Sequence, residues 1–278
     1  MQKTGIITDT NSGMTQAEAN ACGVILMPMP FTVNGKNYVE NVNMSYMEFF
    51  EYLAGGATVA TSQPSPEDVM ACWNKALETY EKIIYIPMSS ALSSSCQSAK
   101  LFAEDYDGRV LVADNHRISI SQKQSVYDAL HWRDMGLSAE EILQKLLDTA
   151  MDASIYLTVD NLKYLKRGGR ITPSVAAIGT VLNIKPVLQI QGGKLDTYKK
   201  VRGLHAAQNR CWRPYARIWI PALPACPCTC APPTLATRAS ARPGTPRCRS
   251  ASRNLRSPEI RCPSASPATS ALGSSRWG

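Results

Sequence analysis

Apolar residues in the first 203 positions fall into short runs of two kinds. "GIITDT" (5–10), "KIIYIPMS" (82–89) and "RVLVADN" (109–115) are compact apolar stretches closed by polar residues, the form of strands buried on both faces. Between them, apolar residues return every three or four positions, the spacing of one helical face. That spacing predicts helices in "TQAEANACG" (15–23), "SYMEFFEYLAGG" (45–56), "SPEDVMACWNKALETY" (65–80), "SSCQSAKLFAEDY" (94–106), "SVYDALHWRDMG" (125–136) and "SAEEILQKLLDTAMD" (138–152). Their ends carry matching signals. Ser45 with Glu48 and Ser138 with Glu141 have capping-box spacing, Ser65 and Pro66 suit the cap and first helical position, and Gly23 suits a helix stop. "VILMPMPFTV" (24–33) and "KNYVENV" (36–42) read as extended, and their prolines place them at a sheet edge.

Strands alternating with helices predict an α/β fold, with a layered parallel sheet forming an N-terminal domain over 1–155. A second, truncated α/β domain follows over 156–203. It draws on "ASIYLTVD" (153–160), a helix in "NLKYLKRGG" (161–169), a helix in "TPSVAAIGTVLN" (172–183) capped by Thr172 and Pro173, and a hairpin across Gly192–Gly193. From residue 204 neither period continues, so 204–278 reads as a disordered C-terminal tail.

Charge divides the chain at the same place. The net charge is +8, but the segment from Leu204 holds eleven Arg, no Lys and one acid, a net of +10, leaving −2 for the first 203 residues. That segment also holds six of the nine Cys and eleven of the eighteen Pro. Such a composition resembles a GC-rich gene translated out of frame, with the slip between Gly203 and Cys211; a genuine basic disordered tail is the alternative. "CPCTC" (226–230) lacks a second Cys/His pair at structural zinc spacing, so no metal site is expected. Nucleic-acid binding would depend on the tail alone, because the body has no basic excess. No apolar run is long enough to span a membrane, and the start lacks the order of a signal peptide. A cytoplasmic protein is expected.

Three polar stretches are candidates for chemistry. In "TSQPSPED" (61–68) helix capping uses Ser65, while Glu67 and Asp68 meet the helix's positive end, leaving Thr61, Ser62 and Gln63 without a role. They form either an ordinary turn or one wall of an anion site. "SSALSSSCQSAK" (89–100) leads from a strand into a helix with no acid before Glu104. Its N–H groups and the Ser93 hydroxyl are open to an anion, unless the serines simply start a helix. In "YLKRGGRI" (164–171) Arg167 and Arg170 flank two glycines. Lys166 and Arg167 suit a solvated surface cluster, and Arg170 is the better candidate to pair with a carboxylate or phosphate.

These stretches, with "IITDT" before them and "LNIKPVLQIQGGKL" after, keep the order and spacing of signature motifs in the DegV family of bacterial fatty-acid-binding proteins, which the chain resembles from residue 1 to about 203. The resemblance implies a two-domain α/β carrier that holds one long-chain fatty acid in an apolar tunnel, without a cofactor, and presents it to a fatty acid kinase. It further implies that Thr61 and Ser93, with Ser62 beside them, hold the carboxylate, and that Arg170 is the family's arginine after the double glycine. Met27, Met29 and "AAIGTVL" (176–182) are candidate tunnel lining, or plain core. Ala91 and Ser94 stand where the family's serine loop usually has glycines, and no residue matches the family's late histidine. The rival function is a serine hydrolase or acyl-transfer enzyme with Ser93 as nucleophile. His116 is its candidate base, although no serine sits in a G-x-S-x-G turn.

Overall fold

Strand β1 (Gln2–Asp9) opens the chain, followed by helix α1 (Gln16–Cys22) and strand β2 (Val24–Met27). Next come β3 (Pro30–Val33), β4 (Lys36–Val39), α2 (Tyr46–Ala54) and β5 (Val59–Thr61). Then follow α3 (Pro66–Leu77), β6 (Tyr80–Ile86), α4 (Ser95–Ala103), β7 (Val110–Val112), α5 (Ser119–Asp134) and α6 (Ala139–Asp148). The last elements are β8 (Ile155–Thr158), α7 (Lys163–Gly168), α8 (Pro173–Ala176), β9 (Ile184–Ile190) and β10 (Asp196–Arg202). This computed structural model describes residues 2–40, 42–159, 162–178 and 184–211, all within the unit Met1–Tyr215.

Four strands form a wholly parallel sheet in the order β2-β1-β6-β7. Neighbouring residues of a strand face opposite sides, and here both sides are covered. Ile6, Ile84 and Ile86 pack against Val126 of α5 with Ile142 and Leu146 of α6. On the other face, Ile7, Ile83 and Tyr85 pack against Trp73 of α3 and Ala99 of α4. Each such large side chain contributes about 1.5–3 kcal/mol on burial, which explains the continuous apolar runs in β1 and β6. The capping boxes read at Ser45 and Ser138 are both formed, and Ser65 accepts the Asp68 N–H at the start of α3.

Several elements depart from the sequence reading. Pro30 lies in the central strand of a separate antiparallel sheet, β4-β3-β5, rather than at an edge. The ring is tolerated because Pro30 is the first residue of its strand. Helix α5 starts at Ser119, six residues before the apolar repeat suggests. Its early positions Gln122 and Ser125 are polar yet buried, because Gln122 Nε2 donates to Thr8 Oγ1, Asp9 Oδ1 and the Ile86 carbonyl. Thr172 precedes α8 without capping it; its hydroxyl binds Asp196 instead. A helix runs over 204–211 with Ala207 buried, so ordered chain continues beyond residue 203. The remainder of the tail, including "CPCTC", lies outside the described residues, as do residues 179–182 of the "AAIGTVL" segment.

Strands β8, β9 and β10 form an antiparallel sheet in the order β10-β9-β8. Its core of Val175, Leu188, Ile190 and Leu195 also takes in Leu92, from the loop after β6. That shared residue ties this sheet to the serine-rich loop. No helix among the described residues is long and apolar enough to cross a membrane.

Candidate functional site

After β6 the chain enters the serine loop, and three successive backbone N–H groups are held from outside it. Met88 donates to Asp9 Oδ2 (2.9 Å), Ser89 to the Arg117 carbonyl (2.9 Å) and Ser90 to Asp114 Oδ1 (3.2 Å). The loop then turns on itself, with the N–H groups of Leu92 and Ser93 donating to the Ser89 carbonyl. The Ser93 hydroxyl accepts the Ser95 N–H (3.2 Å) and lies 2.9 Å from Ser95 Oγ. Ser94 stands at the cap position of α4 without capping it, and no acid occupies the first turn. The positive end of this nine-residue helix therefore has no internal counter-charge.

The second wall is the turn after β5. Thr61 pairs with Phe31 in the antiparallel sheet, and Ser62 donates its N–H to the Pro30 carbonyl. Gln63, unassigned by the sequence, accepts hydrogen bonds at Oε1 from Ser94 Oγ (3.2 Å) and Ser98 Oγ (3.3 Å). It fastens this turn to the first turns of α4.

Arg170 arrives from the third direction. Helix α7 stops at Gly169, whose φ of 66° is left-handed and suits glycine. Leu195 then donates its N–H to the Arg170 carbonyl, joining the segment to the β9–β10 hairpin. The guanidinium donates from Nε to the Leu92 carbonyl (3.2 Å) and from Nη1 to the Gly168 carbonyl. Among the described residues these bonds use two of its five N–H donors.

Thr61, Ser62, Ser93 and Arg170 line one cavity of about 670 Å³, within the usual range for small-molecule sites. The rest of its wall combines apolar residues, among them Met29, Phe31, Met44, Phe49, Leu92 and Leu165, with polar ones that include Asn11, Glu40, Ser45, Tyr46, Gln63 and Ser94. Sequence reasoning missed Phe49 and Met44, which belong to α2 and the segment before it. Met29 is among the residues lining the cavity. Met27 is not; it is buried in the core beside Tyr85. Lys166 and Arg167 are exposed and do not line the cavity.

Two carboxylates stand behind the serine loop. Asp9 is fully buried, and desolvation pushes its pKa above the usual range despite N–H donors from Met88, Gln122 and Asn11. Burial also acts to raise Asp114, but its bonds to Ser90 and the nearby His116 and Lys100 outweigh that and hold it below the usual range. The Cys96 thiol is pushed up to about 12, first by burial and then by Asp114. His116 has a left-handed φ of 57°, and its Nδ1 faces Asp114 Oδ1 at 3.6 Å. It does not line the cavity, and the hydrogen bonds of Ser93 Oγ go to Ser95. Among the described residues no group of three His, Cys, Asp or Glu side chains is arranged to hold a metal ion.

Comparison with known proteins bears on this arrangement. The family model described as "uncharacterised protein, DegV family" matches residues 3–215, past the point where the chain's periodicity stops. A DegV domain-containing protein of Deinococcus radiodurans is 35% identical over 199 residues, 71% of either chain. A solved structure describing fatty acid binding of a DegV family protein from Thermus thermophilus shares 31% identity, with a TM-score of 0.71 and 77% of each chain covered. A fatty acid binding DegV family protein from Streptococcus agalactiae shares 27% identity, with a TM-score of 0.70 over 78% of each chain.

Proposed function

The chain belongs to the DegV family, and on that premise we propose that it binds one long-chain fatty acid in the cavity beside the serine loop. The carboxylate is held by Thr61, Ser62, Ser93 and Arg170, and the acyl chain lies against the apolar part of the wall. One observation carries the reading: three hydroxyl residues and an arginine from three separate stretches line a single cavity that also has a set of apolar lining residues, the acid Glu40 being held by Thr10 and Tyr46.

The energetics suit this division of labour. A sixteen-carbon acid has about fourteen methylenes, which contribute roughly 11 kcal/mol if all are buried. Association costs of about 4–15 kcal/mol oppose that gain. The head group therefore needs only a moderate contribution, which neutral hydroxyls, a helix N-terminus and one guanidinium supply. In this reading Arg170 offers its remaining donors to the carboxylate, while the Leu92 carbonyl fixes its direction.

The proposed role is that of a cytoplasmic carrier, presenting the bound acid to a fatty acid kinase and carrying out no reaction of its own. Its working parts are the parallel-sheet portion over 1–155, which supplies the hydroxyls, and the portion over 156–203, which supplies Arg170. Native mass spectrometry of the purified full chain, before and after incubation with palmitate, tests the reading. One added fatty-acid mass is expected. A chain that stays at its apo mass throughout would end it, and chromogenic-ester turnover abolished in Ser93→Ala would replace the carrier with an acyl-transfer enzyme.

A further inference from the structure

Ser93 can meet a carboxylate only if the loop carrying it is held in place, and the loop's own bonds are short-range. Its N–H groups at Ala91, Leu92 and Ser93 all return to Ser89. What ties the loop to the next layer is Asp114, two residues beyond the end of β7. Oδ1 accepts the Ser90 N–H at 3.2 Å, on the strand side of the loop. Oδ2 lies 3.5 Å from Lys100 Nζ, on the helix that follows the loop. One nearly buried carboxylate, 10% exposed, thus grips the chain on both sides of Ser93. His116 Nδ1, itself buried, stands 3.6 Å from Oδ1.

We propose that Asp114 is a positioning residue for ligand binding: by bridging Ser90 and α4 it sets where the Ser93 hydroxyl and the α4 N-terminus point in the cavity. This inference rests on the fatty-acid reading above for its ligand, but its mechanical part does not. Asp9 holds Met88 at the root of the loop, through a carboxylate already engaged by Asn11 and Gln122. Of the two carboxylates, Asp114 is the one that reaches both flanks of Ser93. Replacing Asp114 by Asn leaves one acceptor for two jobs. If the oxygen faces Ser90, the new amide faces the Lys100 ammonium; if the amide is turned round, it faces the Ser90 N–H.

The test compares wild type, Asp114→Asn, Ser93→Ala and the double variant, using palmitate and methyl palmitate as probes in titration calorimetry. Asp114→Asn is expected to weaken palmitate at least tenfold and methyl palmitate by less than twofold. Ser93→Ala is then expected to cost no more than about a further twofold in the Asp114→Asn background, because the hydroxyl is already misplaced. Equal costs of Ser93→Ala in both backgrounds, or equal losses for acid and ester, would overturn the proposal. Hydrogen exchange of the ligand-free proteins over residues 90–95 gives an independent reading: faster exchange in Asp114→Asn is expected, and unchanged exchange refutes the positioning role. If wild type bound no palmitate, the function proposed above would fail while the exchange comparison still decided this one. Should Asp114→Asn not fold, Lys100→Met at a half-exposed position carries the same exchange test with a smaller effect, and no change there would count against the proposal.

Discussion

Removing the Ser93 hydroxyl changes two things that can be measured separately. In the protein the oxygen accepts the Ser95 N–H at 3.2 Å and pairs with Ser95 Oγ at 2.9 Å. Each net hydrogen bond of this kind is worth about 0.5–1.5 kcal/mol. Ser93→Ala loses both and should therefore lower stability by about 1–3 kcal/mol, a fall of roughly 2–12 °C in melting temperature for a domain of this size. In the proposed complex the same hydroxyl donates to a carboxylate, and hydrogen bonds to charged groups are worth about 1.5–3 kcal/mol. At about 1.4 kcal/mol per tenfold, palmitate should bind roughly 10- to 140-fold more weakly, while methyl palmitate should barely change. Titration calorimetry measures the affinities and a thermal scan the stability. A variant that melts lower but binds palmitate within twofold of wild type would show that Ser93 only starts α4, and the proposed carboxylate site would lose its central residue.

Two further outcomes follow from the fold. A Cβ at Gly5 would lie 2.5 Å from Cδ2 and 2.7 Å from Cγ of Tyr80 on the neighbouring strand, so Gly5→Ala should destabilise by about 1–3 kcal/mol; an unchanged urea midpoint would contradict that packing. The folded pKa of Asp114 lies below its ordinary value, so the stability it provides is complete above about pH 3.9 and disappears as pH falls through the lower folded value. The difference in unfolding free energy between wild type and Asp114→Asn should accordingly be constant at neutral pH and shrink on acidification; a difference that grew in acid would reverse the assignment.

Much of the scaffold was readable because its signals are local. Capping at Ser45, Ser65 and Ser138 needs only residues three apart, and the double-sided burial of β1 and β6 shows in consecutive isoleucines. The strand–helix alternation accordingly identified the parallel sheet. The apolar repeat starts later than helix α5 because residues 119–124 hold one apolar side chain, Ile120, and the burial of Gln122 among them depends on acceptors in other elements. Pro30 looked like an edge marker because a strand's neighbours are invisible along the chain.

The candidate site shows the same boundary. Thr61, Ser62, Ser93 and Arg170 were picked out by residue type and by the motifs around them, but their meeting is a matter of long-range contacts. Gln63 reaches Ser94 across 31 positions, Asp114 holds Ser90 across 24, and Arg170 reaches Leu92 across 78. Local order supplied turns, caps and faces, since those energies depend on residues a few places apart. Which hydroxyls share a cavity, and which carboxylate aims them, was set only once the sheets had packed, because hydrogen bonds and apolar burial act between whatever groups the fold brings within reach.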